Sequence, residues 1–116
     1  MTKVIYYTNI AEKSPVDEFL DSLTGQQQRK ISRVISFIEI YGLTTAIPHI
    51  KKLTGTPLWE IRILGRDNIR IFYATLISDS ILLLHGFIKK SQSTPDKEIN
   101  TALNRLNEWI NRKTKG

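Results

Sequence analysis

Residues 51–90, KKLTGTPLWEIRILGRDNIRIFYATLISDSILLLHGFIKK, decide the fold of this chain. Apolar residues alternate with polar or charged ones over 58–64 and again over 69–76, and a period of two predicts β-strands. The turn residues Gly-Arg-Asp-Asn at 65–68 predict a hairpin between them. Residues 81–89 begin with a run of apolar side chains, which is typical of a central strand covered on both faces. We therefore expect an antiparallel sheet that displays cations beside an apolar core.

The register of the first two strands is restricted, because a slip of one residue would move an apolar set to the other face. Three opposite pairs keep the apolar residues together: Ile63 with Ile69, Ile61 with Ile71, and Trp59 with Tyr73. This register places Arg62 directly opposite Arg70, and a shift of two residues would leave them diagonal neighbours. Like charges in these positions destabilise a sheet unless something compensates. The compensating group is either a bound anion or Glu60, which shares their face.

The rest of the chain predicts one further strand and three helices around this sheet. Residues 4–7 are β-branched and aromatic, which favours a strand. Ser14 followed by Pro15 predicts a helix start, and Thr24-Gly25 separates that helix from a second apolar stripe at helical spacing. A loop is expected around Pro48, Gly55 and Pro57, and a last helix begins after Thr94, with an apolar stripe of Ile99, Leu103, Leu106 and Ile110. The predicted order is β-α-α-β-β-β-α, an α+β fold with a mainly antiparallel sheet against a helical hairpin.

Composition predicts one domain over residues 1–116. The chain has 116 residues and is 41% hydrophobic, which is enough for one core and too little for two ordinary domains. It contains no apolar run of membrane-spanning length and no apolar signal-peptide core, so we expect a cytoplasmic protein. With no cysteine and only two histidines, neither a disulfide framework nor a zinc site is expected, and no cofactor is indicated.

The positive charge lies in the second part of the chain. Residues 1–48 carry five basic and five acidic side chains, whereas residues 49–116 carry twelve basic and six acidic, so the whole net charge of +6 comes from 12 − 6. This asymmetry, with a sequence pI near 9.7, favours an anionic partner: nucleic acid, or an acidic protein that shields the surface. The alternative is a solvated basic face that only aids solubility.

Three segments carry a resemblance to a known family: KKLTGTPLWEIR, RIFYA and LLHGFIKKSQSTPDKEINTA. They resemble the HigB-like, phage-derived branch of the RelE/ParE toxin superfamily, and the likeness in element order covers essentially the whole chain. The resemblance implies a RelE-like fold and a bacterial, ribosome-dependent endoribonuclease that cuts mRNA without a metal. It also implies a cognate antitoxin with a helix-turn-helix domain, similar to HigA, with DNA contacted only through the toxin–antitoxin complex.

By analogy with the family, five residues are expected to form the catalytic site. Arg62 and Arg70 are expected to clamp the scissile phosphate, since guanidinium binds phosphate oxygens bidentately. Lys89 and Lys90 follow the last strand, where related toxins carry basic residues that bind RNA or stabilise charge. His85 could act as general acid or base, although a hydrogen-bonded structural role is the more common one for such a histidine. Alanine at either arginine is expected to abolish growth inhibition without unfolding the protein, because replacing an exposed arginine changes stability by only about 0.5 kcal/mol.

The remaining cations are expected to contact RNA phosphates: Lys51, Lys52, Arg66 and His49. The chain departs from one family pattern, because residues 96–100 lack the tyrosine that some members place near the cleaved phosphate. A ParE-like inhibitor of DNA gyrase has an equivalent fold and cuts nothing, so the fold alone leaves this alternative open. A third alternative is a basic module whose one important contact is its cognate protein.

Overall fold

The computed structural model describes residues 1–43, 49–63 and 65–115, which form the order β-α-α-β-β-β-β-α. The helices are α1 (Pro15–Asp21), α2 (Gly25–Tyr41) and α3 (Asp96–Lys115). The strands are β1 (Lys3–Tyr6), β2 (Ile50–Lys52), β3 (Trp59–Ile63), β4 (Ile69–Leu76) and β5 (Ser80–Ile88). They make one sheet in the order β1-β5-β4-β3-β2, in which β1 is parallel to β5 and the other pairs are antiparallel. The predicted α+β class is confirmed.

The predicted register of the central hairpin is also confirmed. Arg62 lies opposite Arg70, and the three apolar pairs flank them as expected. A turn at 65–68 joins the two strands, and Leu64 lies outside the described residues. The agreement follows from the period-two pattern, because a slip of one residue would move the buried isoleucines of one strand to the other face.

The prediction was wrong in placing only a loop before the hairpin. Residues Ile50–Lys52 form β2, an edge strand whose pairing with β3 ends at Ile50 opposite Ile61. A three-residue strand is too short to show a period of two, so its pairing partner defines it rather than its own sequence. Pro48, which the predicted loop contained, lies outside the described residues.

Helices cover both faces of the sheet, whereas the prediction placed a helical hairpin on one. On one face α1 packs mainly on β5 and α2 on β1 and β3, around a core that includes Ile31, Ile38 and Tyr73. On the other face α3 packs on β5 and β4, around Phe72 and Leu106. Because helices supply apolar contacts on both faces of the sheet, β4 and β5 are buried along most of their length.

The helix starts follow their sequence signals. The Ser14 hydroxyl accepts a hydrogen bond from the Asp17 amide, as an N-cap should. α1 ends at Asp21 with Ser22 as its C-cap, and Thr24 caps α2, forming a capping box with Gln27. In α3, Ile110 is exposed and Trp109 packs against the core in its place. Among the described helices, none is long and apolar enough to cross a membrane.

Candidate nucleic-acid interface

The two strand arginines meet at one buried carboxylate. Glu60 Oε1 lies 3.4 Å from Arg62 Nε and 3.2 Å from Arg70 Nε. The exposed fractions of the side chains are 3% for Glu60, 12% for Arg70 and 40% for Arg62. Neither Nε has hydrogen-bond geometry to a partner in the described part of the chain, so these are ion contacts rather than aligned hydrogen bonds. Glu60 therefore compensates the opposed arginines, which is one of the two explanations that the sequence left open.

This burial overturns the expectation that both arginines are dispensable for folding. Arg70 is largely buried, and its loss would leave the buried Glu60 carboxylate with one cation in place of two. Removing one partner of a buried ion pair costs far more than removing a surface charge. Arg62 is the more exposed of the two, so it is the better position for separating function from stability.

A depression on the surface extends from Arg70 to the end of β5. It is lined by Asn68, Arg70, Lys89, Lys90, Ser91 and Gln92. The Lys89 amide donates a 2.8 Å hydrogen bond to the Asn68 carbonyl, which fixes the chain after β5 to the β3–β4 turn. Lys89 is half-buried and Lys90 exposed. The structure thus brings both predicted lysines to the same wall as Arg70.

His85 points away from this depression into the contact between β5 and α3. Its Nε2 lies 2.8 Å from Glu98 Oε1, and its Nδ1 lies 3.1 Å from Arg105 Nη1. Because a guanidinium can only donate, Nδ1 accepts and the proton lies on Nε2, which donates to Glu98. Both ring nitrogens are therefore engaged in a neutral tautomer. The geometry supports the structural role over that of general acid or base.

His85 should make stability depend on pH. Burial is the main cause that lowers the pKa of His85 below its ordinary 6.5, Arg105 adds to the decrease, and Glu98 opposes it. The unfolded chain therefore binds the proton more readily, so this stabilisation is present above about pH 6.5 and is lost as the pH falls.

Glutamine has a hydrogen-bond donor and an acceptor but no group that titrates in this range. We therefore expect His85→Gln to reduce the fall in unfolding free energy between pH 7 and 5. The reduction should reach at most about 1.4 kcal/mol per pH unit. Urea unfolding of both proteins at the two pH values measures it. Parallel pH dependences in the two proteins would contradict the assignment.

The predicted RNA-binding residues divide between the two faces of the sheet. Lys51 lies opposite Glu60 and so shares the face of the arginines. Lys52 lies opposite Trp59 on the other face, where its ammonium stands 5.3 Å from the Trp59 ring centre and donates to the Thr56 carbonyl. Arg66 is exposed in the β3–β4 turn. The structure therefore brings Lys51 to the arginine site but not Lys52.

A second depression lies where α2 packs near the end of β3, and it contains predicted His49 together with Arg62. Lys30 and Arg33 of α2 also line it. Neither Lys30 nor Arg33 is among the residues that the sequence predicted to contact RNA. Nothing in the helical spacing of α2 indicates which of its outward cations reaches the sheet edge, so only the packing of α2 identifies them.

The fold and this cationic surface define a small basic α+β protein with an arginine pair on its sheet. The family model described as Phage derived protein Gp49-like (DUF891) matches residues 18–107, which is well over half of the chain. The chain therefore belongs to the Gp49-like family of phage-derived proteins, a toxin-like family related to RelE. The match spans β2 to β5 and every residue of the arginine site. Comparison with curated proteins gives no match.

Proposed function

We propose that this chain is the HigB-like toxin of a type II toxin–antitoxin pair and that it cleaves mRNA on the ribosome. The observation that carries the proposal is the pair of arginines held opposite one another in an open cationic surface. Membership of a toxin-like family supports it independently of the geometry. A cationic sheet face with Lys89 and Lys90 beyond it suits contact with RNA phosphates.

The proposed reaction is attack of a ribose 2′-hydroxyl on the adjacent phosphate. The attacking oxygen loses a proton, the phosphorus–5′-oxygen bond breaks, and the products are a 2′,3′-cyclic phosphate and a free 5′-hydroxyl. The transition state concentrates negative charge on the phosphorane oxygens, so fixed cations beside it lower the barrier. The side chains of the site supply such cations without requiring a metal.

Each member of the site has a distinct part in this proposal. The Nε edges of Arg62 and Arg70 face the Glu60 carboxylate, and Arg70 Nη1 donates to the Ile69 carbonyl. We therefore assign the phosphate oxygens to the terminal nitrogens of Arg62 and to Nη2 of Arg70. Glu60 is a positioning residue, because at 3% exposure it orients the guanidiniums and offers little access to substrate. Lys89 and Lys90 add charge next to Arg70, where they would bind the backbone or stabilise the leaving oxygen.

The partner implied by this function is a cognate antitoxin with a helix-turn-helix domain, through which alone DNA would be contacted. An antitoxin that covers the cationic surface would replace RNA phosphates with its own acidic groups. We expect the toxin–antitoxin complex to bind RNA more weakly than free toxin and with a smaller salt dependence. RNA binding that keeps its salt dependence in the complex would count against masking of this surface.

The decisive test is primer extension on a defined mRNA in a purified translation system, with and without ribosomes. Wild type is compared with Arg62→Ala and with Arg29→Ala, which removes an exposed arginine of α2. We expect cuts that require ribosomes, a loss of at least 100-fold in Arg62→Ala, and full activity in Arg29→Ala. Intact mRNA at toxic protein concentrations would reject the nuclease, and a DNA gyrase supercoiling assay would then test the ParE-like alternative.

A further inference from the structure

The depression between α2 and β3 has a composition unlike that of the depression beside Lys89. Most of the surface that lines it is apolar, and its charged residues are cations. It is lined by Lys30, Arg33, Val34, His49, Arg62 and Ile63. We propose that it is a nucleotide subsite, which seats one base of a single-stranded RNA and binds the phosphate next to that base. This inference rests on the proposed function, since it extends the same RNA-binding surface.

The chemistry of the wall fits a nucleotide better than an isolated anion. Val34 and Ile63 offer apolar contact to the flat faces of a base, while Lys30 and Arg33 offer positive charge to its phosphate. His49 is half-buried and lines the same wall, and bases of single-stranded RNA stack on aromatic rings such as imidazole.

The subsite is continuous with the arginine site because Arg62 lines both. Within the described residues, the pairing of β2 with β3 ends at Ile61, so Arg62 and Ile63 lie beyond the end of the edge strand. Arg62 lines both this depression and a neighbouring one that it shares with Gly65, Asn68 and Arg70. Arg70 in turn lines the depression that contains Lys89. One strand of RNA could therefore follow these depressions around the edge.

The Lys30 side chain of α2 reaches the β3–β4 turn at Gly65. A Cβ added at Gly65 would lie 2.8 Å from Lys30 Nζ, so the ammonium is packed against this glycine. Gly65 also has a φ of +132°, a conformation that side chains disfavour. The ammonium of Lys30 thus stands between the proposed subsite and the turn that adjoins Arg70. An RNA phosphate that lies between the subsite and this turn would contact the Lys30 ammonium.

The test measures equilibrium binding rather than cleavage, so it is independent of catalysis. The probe is a fluorescent single-stranded 2′-O-methyl oligoribonucleotide of about 10 nucleotides, which cannot undergo 2′-hydroxyl attack. Arg33→Gln is compared with Arg29→Gln, because each removes one exposed cation of α2 and only Arg33 lines the depression. We expect Arg33→Gln to bind several-fold more weakly and to lower the salt-dependence slope by about 0.7, the effect of one lost single-strand phosphate contact.

A second arm locates the base without changing the protein. Abasic sites placed one at a time along the probe should weaken wild-type binding by about tenfold at one position and little elsewhere. Equal losses in Arg33→Gln and Arg29→Gln, or a uniform abasic profile, would overturn the subsite and leave the proposed function standing. If wild type binds no probe even at low salt, the subsite is rejected, while primer extension with ribosomes separately decides the proposed function.

Discussion

Arg70→Ala is expected to abolish growth inhibition and also to lower the free energy of unfolding by about 3 kcal/mol. The stability loss arises because the Glu60 side chain is 3% exposed and, among the described residues, would keep only its ion contact with Arg62. Breaking a buried ion pair typically costs about 3–5 kcal/mol, and the remaining Arg62 contact places this case at the lower end. Urea unfolding at pH 7 measures the loss directly.

The double variant Glu60→Gln/Arg70→Ala separates the buried charge from the missing side chain. Since glutamine is neutral and of similar size, it should recover most of the stability lost in Arg70→Ala. The double-mutant cycle with Glu60→Gln alone then gives the coupling between the two residues. An unfolding midpoint of Arg70→Ala equal to that of wild type would show that the pair contributes nothing to folding.

Arg62→Ala is the matched variant in which function can fail without unfolding. Its side chain is 40% exposed, and its loss leaves the Arg70–Glu60 contact in place, so we expect a cost of about 1 kcal/mol or less. Growth inhibition should nevertheless be lost. Toxicity that survives in Arg62→Ala and in the recovered double variant would remove both arginines from the proposed site.

The hairpin register could be predicted because two strands with a strict period of two allow few alternatives. Burial of Ile61, Ile63, Ile69 and Ile71 on one face restricts the pairing, and Arg62 opposite Arg70 follows from it. What compensates the two arginines could not be predicted. The sequence places Glu60 on their face, but only the structure shows one carboxylate within 3.4 Å of both guanidiniums.

The parts of the surface that sequence reasoning missed depend on packing between distant segments. β2 is too short to show a pattern, and its three residues become a strand only because β3 offers a free edge. Lys30 and Arg33 reach the site because α2 packs near the point where β2 ends. The α2 and β3 residues that line this depression lie more than 25 positions apart, and helical periodicity carries no information about such contacts.

His85 illustrates the opposite case, in which a local pattern suggested chemistry and the tertiary contacts favour a structural role. Its position at the end of an apolar strand permitted both a general acid–base role and a hydrogen-bonded one. The partners that decide between them, Glu98 and Arg105, come from α3. Its neighbour Gly86 also has a structural reason, because the Phe19 ring approaches the strand closely at this point.

Gly86→Ala is expected to lower the free energy of unfolding by about 2–3 kcal/mol. A Cβ on Gly86 would lie 2.4 Å from Cδ2 and 2.8 Å from Cε2 of the Phe19 ring, which α1 packs against β5. Overpacking of this kind forces side chains or backbone to shift at a cost of about 1–3 kcal/mol. Gly25→Ala is the control, because its nearest atom is 3.4 Å away and alanine favours the helix.

Phe19→Leu tests whether the ring is the cause of this loss. Leucine lacks the ring atoms nearest to the added methyl group, so the double variant should be more stable than the two separate losses predict. Strictly additive losses of unfolding free energy would show that the strain in Gly86→Ala does not come from the Phe19 ring. Because α1 packs on β5, and β5 leads directly to Lys89, we expect Gly86→Ala to weaken RNA binding even at temperatures where it remains folded. Phe19→Leu should then partly restore that binding. Such parallel recovery would link the packing of α1 to the geometry of the cationic surface.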